Sequence, residues 1–413
     1  MKSSLYGVAF LIMNNGFKPV FGCETTEKQA PKTTVEVDPE MDKKPIVFDL
    51  GSTSVKAGFS GDKAPRTILP SMKESPSHNT GLHLDEADCK DSLVGNKAQS
   101  RRESLSMNHP IKNRIVTNWD DMISLMDHTF KNELHVKSEE HTVLLAESLS
   151  NPKANKEKMT EVMFERFNVP SYYVDKATAL SLFHSGKTTG FVIDSGEGVT
   201  DIVSIYDYFV VPHTYLRLDL GGTHLTDFLS TLLAGRGFSL KTKSVQDLKE
   251  QSCCVAPIWR ERMNSESDIG TTSTLEDSQA NIIENLKFLC PEAFFEMRKF
   301  FEKGPFLVNM ESLGLHRMCH KSILTCDHDH RKYLYSNIVL SGGSTLFPGL
   351  RERLEQEMRQ LAPSSMTIRV ADAKDHKHSV WCGGSFIASL PKFQEICISK
   401  EEYEESGSSV VHR

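Results

Sequence analysis

Asp49-Leu-Gly-Ser-Thr-Ser-Val-Lys56 and Asp194-Ser-Gly-Glu-Gly-Val-Thr-Asp201 are the two segments that decide the fold of this chain. Each follows a short apolar run typical of a β-strand and continues into a second β-prone run. Glycine lets backbone N–H groups approach a phosphate, serine and threonine add donors, and an aspartate at a strand end can orient a hydrated cation. Either segment alone is typical of an ordinary hairpin turn. Their repetition favours a pair of turns that clamp a polyphosphate and its Mg²⁺.

The composition is that of an ordinary globular protein with room for more than one domain. The chain has 413 residues, 38% of them hydrophobic and 25% charged, and a net charge of −7. This charge gives no electrostatic reason to expect nucleic-acid binding. The nine cysteines show neither a disulfide framework nor a C-x-x-C zinc pattern, which favours a reducing interior. No apolar run has membrane-spanning length, so we expect no membrane partner.

Residues 1–42 are predicted to form a flexible N-terminal extension. The apolar patch at 8–13 is short, and no clean small-residue cleavage site follows it. The remainder of the extension is polar. We therefore do not interpret this region as a signal peptide.

From residue 43 onwards the pattern is mixed α/β. Strands are predicted at 46–49, 53–59, 142–146, 191–194, 199–206, 209–211 and 337–341. Helices are predicted at about 152–167, with Asn151 as the cap, and at about 175–184, ended by Gly186. Two further units, each a strand followed by a Gly-Gly turn and a helix, are predicted at 219–235 and 338–361. Loops are predicted at 73–92 and 263–281. The recurrence of this plan in both halves predicts a duplicated α/β fold with a central cleft, where ligands of such sheets bind.

Long strings in this sequence resemble the actin family over residues 43–413. They include Val55-Lys-Ala-Gly-Phe59, Ile115-Val-Thr-Asn-Trp-Asp-Asp121, Asn151-Pro-Lys-Ala-Asn155, Ser341-Gly-Gly343 and Val411-His-Arg413. The resemblance implies a duplicated actin-like ATPase fold of two lobes, or four subdomains, around a central nucleotide cleft. It also implies a small DNase-loop subdomain at 71–109, a second lobe at about 185–378, and a return to the first lobe at 379–413.

Position by position, the resemblance carries over much of a nucleotide site. Asp49 and Asp194 match the acidic residues that orient a hydrated Mg²⁺, with Ca²⁺ as the alternative ion. The residues that match positions around ATP or ADP are Gly51, Ser52, Lys56, Gly196, Glu197, Gly198, Gly222, Lys249, Glu250, Gly343 and Lys377. Glu197 stands where the family has a ribose-binding aspartate, and Gln246 replaces an arginine near the base.

The hydrolytic positions differ from the family pattern. Ala177 replaces the glutamine that orients the attacking water, and Asp201 replaces a histidine that helps to position it. Phosphoryl transfer depends on water positioning and on stabilising the developing negative charge. Alanine cannot position water, and an added anion opposes the stabilisation of negative charge. We therefore expect a weak or inactive ATPase. The adjoining Asp175-Lys176 is charged where the family is apolar, and Asp175 offers an alternative water network.

Two segments that make polymer contacts in the family are altered. The stretch 77–92, in the DNase-binding loop, carries Asp85, Glu86 and Asp88 where the family is apolar, and 294–306 inserts about eight residues into the inter-strand plug. Burying unpaired carboxylates in an apolar groove costs several kcal/mol. We therefore expect poor polymerisation, although exposed loops also vary without consequence. Asn113 and Arg114 replace the family's methylated histidine and the glycine after it.

The resemblance also implies partners. A groove lined by Phe183, Phe209, Ile387 and Leu390 would bind actin-binding proteins or other actin subunits, although the same residues suit plain core packing. The cytosolic chaperonin is the expected folding partner. His316 and His320, with nearby Cys and His residues, have the spacing of a zinc site, but they align with a family segment that binds no metal.

Three functions are consistent with the sequence. The favoured one is a divergent actin-like structural or interaction protein of the cytoplasm and cytoskeleton that binds Mg-ATP and hydrolyses it weakly or not at all. The alternatives are a conventional polymerising actin ATPase and an actin-related subunit of a nuclear chromatin complex.

Overall fold

A computed structural model describes residues 44–74, 107–256, 286–297, 313–371 and 377–413. The chain forms two compact units. The first extends to Thr188 and also includes Asp207–Phe209 and His378–Arg413, and the second contains Thr189–Tyr206 and Val210–Lys377. The predicted extension at 1–42 and the predicted loops at 75–92 and 263–281 lie outside the described residues. The predicted subdomain boundaries at 71–109, 185–378 and 379–413 stay predictions.

The described chain contains both strands and helices. The strands are β1 (Ile46–Leu50), β2 (Ser54–Phe59), β3 (Thr67–Pro70), β4 (Lys73–Glu74), β5 (Met107–Asn108), β6 (Ile111–Lys112), β7 (Ile115–Val116), β8 (Val143–Glu147), β9 (Ser171–Lys176), β10 (Gly190–Ser195), β11 (Thr200–Tyr206), β12 (Phe209–Val210), β13 (Leu216–Leu218), β14 (Ile338–Ser341) and β15 (Ile398–Ser399). The α-helices with described bounds are α1 (Trp119–His128), α2 (Lys153–Glu161), α3 (Ala177–His184), α4 (Gly222–Ala234), α5 (Thr242–Ser252), α6 (Leu315–Leu324), α7 (His328–Ser336), α8 (Leu350–Leu361), α9 (Ser379–Ala388) and α10 (Lys400–Ser406). Residues 286–292 are also helical.

The first unit is built on a six-stranded sheet in the order β15-β9-β8-β1-β2-β3. The three central strands β9, β8 and β1 run parallel, and β2 returns antiparallel to β1. Apolar side chains fill both faces of this sheet, as expected for buried parallel strands. On one face the indole of Trp381 donates to the Val47 carbonyl at 3.0 Å, which ties α9 to the central strand.

The second unit repeats the plan. Strand β10 pairs antiparallel with β11 and parallel with β14, and β13 pairs antiparallel with β11. Helices from 222–361 supply most of its apolar core. Phe294 and Phe295, the first residues of the predicted plug insertion, are buried in this core rather than exposed in a plug. The residues from 298 to 306 lie outside the described part of the chain.

The predicted start of one helix and the predicted cap of another were wrong. Asp175 and Lys176 extend β9, because they pair with Ala146 and Glu147 of β8, and helix α3 begins only at Ala177. Asn151 does not cap α2: its side chain donates to Glu147 at 3.2 Å, and Pro152 occupies the cap position. The chain continues from α2 as a π-helix over Val162–Arg166.

Other predicted elements are confirmed. The hairpins around 49–56 and 194–201 form as expected. Gly186, with a φ of +74°, follows α3 in the left-handed conformation that glycine adopts without penalty. The Gly-Gly turns lead into α4 and, through a short 3₁₀ turn, into α8. Within the described residues, we find no helix that is long and apolar enough to cross a membrane.

The contact between α3 and α9 gives a test of the first unit. A Cβ at Gly383 would lie 2.0 Å from the Leu180 carbonyl oxygen, a backbone atom that cannot move aside cheaply. We expect G383A to destabilise the protein by about 1–3 kcal/mol through overpacking. At Gly235 a Cβ would meet ordinary contacts of 3.5 Å or more at a φ of −62°, so G235A should be neutral or stabilising by under about 1 kcal/mol. Thermal unfolding compares the two variants. Equal unfolding midpoints would contradict the close packing of Gly383 against Leu180.

Candidate functional site

The first phosphate-binding segment forms a tight hairpin with an internal ion pair. Asp49 and Lys56 are cross-strand partners in β1 and β2, and the Lys56 ammonium lies 2.6 Å from the Asp49 carboxylate. Both side chains are nearly buried. The predicted metal-orienting aspartate and the predicted phosphate-binding lysine are therefore brought together and stabilise each other's charge.

The turn between these strands requires glycine. The Gly51 amide donates to the Ser54 carbonyl at 3.0 Å, and a Cβ at Gly51 would lie 2.8 Å from that same oxygen. The Ser71 hydroxyl donates to the Gly51 carbonyl at 2.6 Å and fixes the turn from outside. The Ser52 hydroxyl accepts from the Arg114 amide at 2.9 Å, which leaves its own hydrogen able to donate to a phosphate.

Asn113 and Arg114 keep a left-handed backbone, with φ values of +50° and +63°. Asparagine tolerates this conformation, whereas arginine is held there at a cost of about 1–2 kcal/mol. The replacement of glycine by Arg114 has therefore not rearranged the turn into a right-handed conformation. The strain is retained next to the first phosphate-binding segment.

The second segment forms the matching hairpin between β10 and β11. Asp194, at the end of β10, is fully buried, and the Gly196 amide donates to the Val199 carbonyl at 2.9 Å to close the turn. Gly342, with a φ of +84°, packs so closely that a Cβ there would lie 2.2 Å from the Ser195 carbonyl oxygen and 2.8 Å from the Asp194 carboxylate. Only glycine fits against this aspartate.

Glu197 lies at the N-terminus of α4. Its carboxylate accepts from the Thr223 hydroxyl at 3.0 Å, and its carbonyl accepts from the Thr223 amide at 2.9 Å. A Cβ at Gly222 would lie 2.5 Å from the Glu197 carboxylate. A carboxylate is stabilised at this end of a helix, so the longer side chain is accommodated. Its predicted ribose contact stays a prediction.

The Lys249 side chain is buried inside the second unit. Its buried ammonium donates to the Gly222 carbonyl at 2.7 Å and to the Thr226 hydroxyl at 2.8 Å, which ties α5 to the first turn of α4. One of its three donors is left over for a ligand. The neighbouring Glu250 accepts from Gln246 at 2.8 Å, so the residue that replaces the family's arginine pairs with a predicted site residue.

Three further residues were predicted to contact the nucleotide, and the structure gives fewer contacts for them. Gly198 lies in the turn between β10 and β11, and Gly343 begins a short 3₁₀ helix with open space around its Cα. Lys377 is exposed and adjoins residues 372–376, which are outside the described chain. The nucleotide contacts of these three residues stay predictions.

Asp201 is held inside the second unit. Its fully buried carboxylate accepts from the Tyr215 hydroxyl at 2.8 Å. Strand register places Asp194, Asp201 and Arg217 in one row across β10, β11 and β13. Two carboxylates directly opposite each other repel, and a cation beside them relieves this repulsion. Arg217 supplies positive charge beside Asp201, and the predicted role of Asp194 in orienting a hydrated metal ion stays a prediction.

Ala177 is buried and packs among apolar residues at the start of α3. It offers no polar atom to a water molecule. The nearest charged residue in sequence, Lys176, lies opposite Glu147 in the parallel register of β8 and β9, and the two side chains form a short ion pair. Sequence reasoning missed this pair. The sequence signal that could have found it is a lysine at the end of one predicted strand and an acidic residue at the end of another, because neighbouring parallel strands bring such residues together.

Glu147 is the centre of a buried charge cluster in the first unit. Lys156 of α2 lies 3.4 Å from the same carboxylate that pairs with Lys176. Burial raises the pKa of Glu147, but Lys176 and then Lys156 outweigh that effect and lower it below its usual value. Glu147 is therefore an ionised carboxylate compensated by two ammonium groups.

The histidine cluster does not assemble a metal site. His316 and His320 both lie on α6, where His320 pairs with the Tyr335 hydroxyl at 2.9 Å and His316 stacks on Phe295. Among the described residues, no group of three or more His, Cys, Asp or Glu side chains is placed to hold a metal ion.

The predicted partner groove is largely filled by core packing. Phe183, Ile387 and Leu390 are buried, and Phe183 packs against Phe386 with ring centroids 5.1 Å apart. Phe209 is partly exposed. Binding of a partner at this face stays a prediction.

Asp175 makes the stability of the first unit depend on pH. Burial of its carboxylate raises its pKa to about 6, despite donation from the Lys176 amide at 2.7 Å. Since the folded state holds this proton more tightly than the unfolded state, stability should fall as pH rises from about 4 to 6. We expect D175N to remove this fall and to be more stable at pH 7 by up to about 3 kcal/mol.

Chemical denaturation at pH 4, 6 and 7 measures the effect. Asp127, in an exposed ion pair with Lys131, supplies the control D127N, which should track the wild-type protein at every pH. If D175N lost stability between pH 4 and 6 by as much as the wild-type protein does, Asp175 would not be the cause of the pH dependence.

Comparison with known families is consistent with this geometry. The sequence model of the actin family matches residues 41–245 and 239–413, which together include every described element and both phosphate-binding hairpins. This match confirms the predicted family and its duplicated α/β fold. The chain belongs to the actin family.

Proposed function

We propose that this protein is a divergent actin-like structural or interaction protein that holds Mg-ATP or Mg-ADP without efficient hydrolysis. The observation that carries the proposal is the contrast between two kinds of residue. Glycine turns beside strand-end aspartates, which are of the type that can bind a phosphate and its metal, support nucleotide binding. The two positions expected to act on water carry a buried alanine and a buried, hydrogen-bonded aspartate.

Support for nucleotide binding comes from each unit separately. In the first, Lys56 and the Ser52 hydroxyl lie on one tight turn beside Asp49. In the second, the Gly222 and Thr223 amides at the N-terminus of α4 donate to the Gly196 and Glu197 carbonyls, which holds the glycine-rich turn in place. When bound, Mg²⁺ would supply charge neutralisation for the phosphates, and the carboxylates at the strand ends are of the type that binds it through water.

Support for weak hydrolysis comes from how the altered residues are held. The Ala177 side chain has no polar atom, and Lys176 beside it is held by Glu147. Asp201 is fixed by Tyr215, so it cannot rotate away to admit a positioned water without losing a buried hydrogen bond. The chain therefore lacks both groups at the positions where the family orients the nucleophile.

Restoring the family residues tests this explanation. We expect the double variant A177Q/D201H to hydrolyse Mg-ATP at least tenfold faster than the wild-type protein, because an amide would orient water and an anion would be removed. The matched control is A179Q, which places the same side chain at a partly exposed position of α3 and should leave the rate unchanged. Phosphate release over hours measures all three. A wild-type rate equal to that of the double variant would contradict the proposal.

We further propose cytoplasmic and cytoskeletal localisation with poor self-assembly. The altered DNase-loop segment, which carries most of this argument, lies outside the described residues, so the support is its sequence alone. In a sedimentation assay with Mg²⁺, salt and ATP, we expect the purified protein to stay in the supernatant at concentrations where a conventional actin pellets. Pelleting of most of the protein would instead favour the conventional polymerising actin.

A further inference from the structure

Two buried thiols meet in the second unit, where the end of α5 lies against the helical residues 286–292. Cys253 directly follows the last residue of α5 and is 2% exposed, and Cys290 is fully buried in the same apolar core. Both are reduced. The Cys290 thiol can donate its one hydrogen to the Leu225 carbonyl, 3.5 Å away, or to the sulfur of Cys253. We call these two residues the thiol pair.

A proline explains why the pair forms. In an α-helix the carbonyl of residue 287 accepts from the N–H of residue 291, but Pro291 has no N–H to donate. The Lys287 carbonyl instead accepts from the Cys254 amide at 3.2 Å. This bond holds the chain after α5 beside the second helix. Cys290 lies three residues beyond Lys287, on the same side of that helix, and therefore faces Cys253.

The surroundings make the two thiols unequal. The hydrogen bond from Cys290 lowers the pKa of Cys253 in spite of burial, and the Lys249 and Lys287 ammonium groups lower it further. The same hydrogen bond, together with burial, raises the pKa of Cys290. Since the thiolate is the reactive form of cysteine, Cys253 is the sulfur expected to react first.

A buried cysteine is usually an inert core residue. Cys319 is an example, because it is fully buried in the same core and burial raises the pKa of its thiol. Cys253 differs from it in two ways, a second thiol in contact and two cations nearby. Within the described ranges no third His, Cys, Asp or Glu joins the pair to hold a metal ion. The arrangement therefore favours chemistry between the two sulfurs.

We propose that Cys253 and Cys290 form a reversible intramolecular disulfide when the protein meets a peroxide. The Cys253 thiolate attacks one oxygen of hydrogen peroxide and the O–O bond breaks, which leaves a sulfenic acid on Cys253 and releases hydroxide that is protonated to water. The Cys290 sulfur then gives up its proton and displaces the hydroxyl group as a second water. The two thiols lose two electrons and two protons, and the peroxide is reduced to two waters. A small thiol such as glutathione would reverse the reaction by exchange.

The position of Cys253 gives a small oxidant a way in. It lies at a helix end between the partly exposed Ser252 and Cys254. Local opening is least costly at such ends, so we expect the pair to react more slowly than a partly exposed thiol but to completion. The disulfide would join α5, which carries Lys249 and Glu250, to residues 286–292. It is a property of the second unit and does not depend on nucleotide binding.

Peptide mapping of the full-length protein tests the proposal. Reduced protein is treated with hydrogen peroxide, remaining thiols are blocked in denaturant, and peptides are analysed by mass spectrometry without reduction. We expect one linked pair of peptides, lighter than the two separate peptides by two hydrogen atoms, which glutathione converts back to free thiols. Cys319 should stay reduced. The matched control C254S should form the same link, because it keeps both members of the pair.

Two further variants separate the roles of the sulfurs. We expect no link in C253S or C290S. In C290S the sulfenic acid on Cys253 has no second thiol to react with and should be trapped by dimedone, whereas in C253S the remaining Cys290 should stay reduced. Thermal unfolding shows whether each variant is folded. The main result comes from the wild-type protein and C254S, so it stands even if a core variant fails to fold.

Three outcomes would overturn the proposal. If Cys253 and Cys290 stay reduced at a peroxide concentration that oxidises the partly exposed Cys254 and Cys397, the thiol pair is core packing only. If C254S abolishes the link, Cys254 and not Cys253 is the partner of Cys290. If the link appears only between two chains, as a dimer on a non-reducing gel, the disulfide is not intramolecular.

Discussion

The burial of carboxylates at strand ends is the constraint on which the rest of this structure depends. Asp194 is fully buried opposite Asp201, and Asp49 is nearly buried opposite Lys56. A buried charge is costly unless it is paired. In the first unit the pairing is internal. In the second, Tyr215 donates to Asp201 and Arg217 lies opposite Asp201 in the neighbouring strand.

The glycine turns follow from the same constraint. Gly342 has to be glycine because the Asp194 carboxylate and the Ser195 carbonyl occupy the space of a side chain, and Gly51 has to be glycine because the Ser54 carbonyl does. These contacts are satisfied by the folded chain whether or not ATP is hydrolysed. Retained glycines therefore indicate a retained scaffold, whereas Ala177 and Asp201 bear on the chemistry.

Sequence reasoning predicted the features that are local. Short apolar runs flanking Gly-rich turns specified the hairpins. It failed where a distant strand decided the outcome. Asp175 and Lys176 extend β9 because they lie beside β8, and the pair between Lys176 and Glu147 joins residues that are 29 positions apart. The hydrogen bond between Tyr215 and Asp201 likewise depends on the register of β11 and β13, which periodicity does not give.

The central claim is that this chain holds a nucleotide without turning it over, and nucleotide analysis of the purified wild-type protein tests it most directly. The protein is incubated with Mg-ATP, freed of unbound nucleotide and sampled over hours, with the bound nucleotide identified and counted by chromatography. We expect close to one nucleotide per chain and a proportion of bound ATP that barely falls over those hours. Protein that retains no nucleotide, or ATP that is converted to ADP at the rate of a conventional actin, would contradict it.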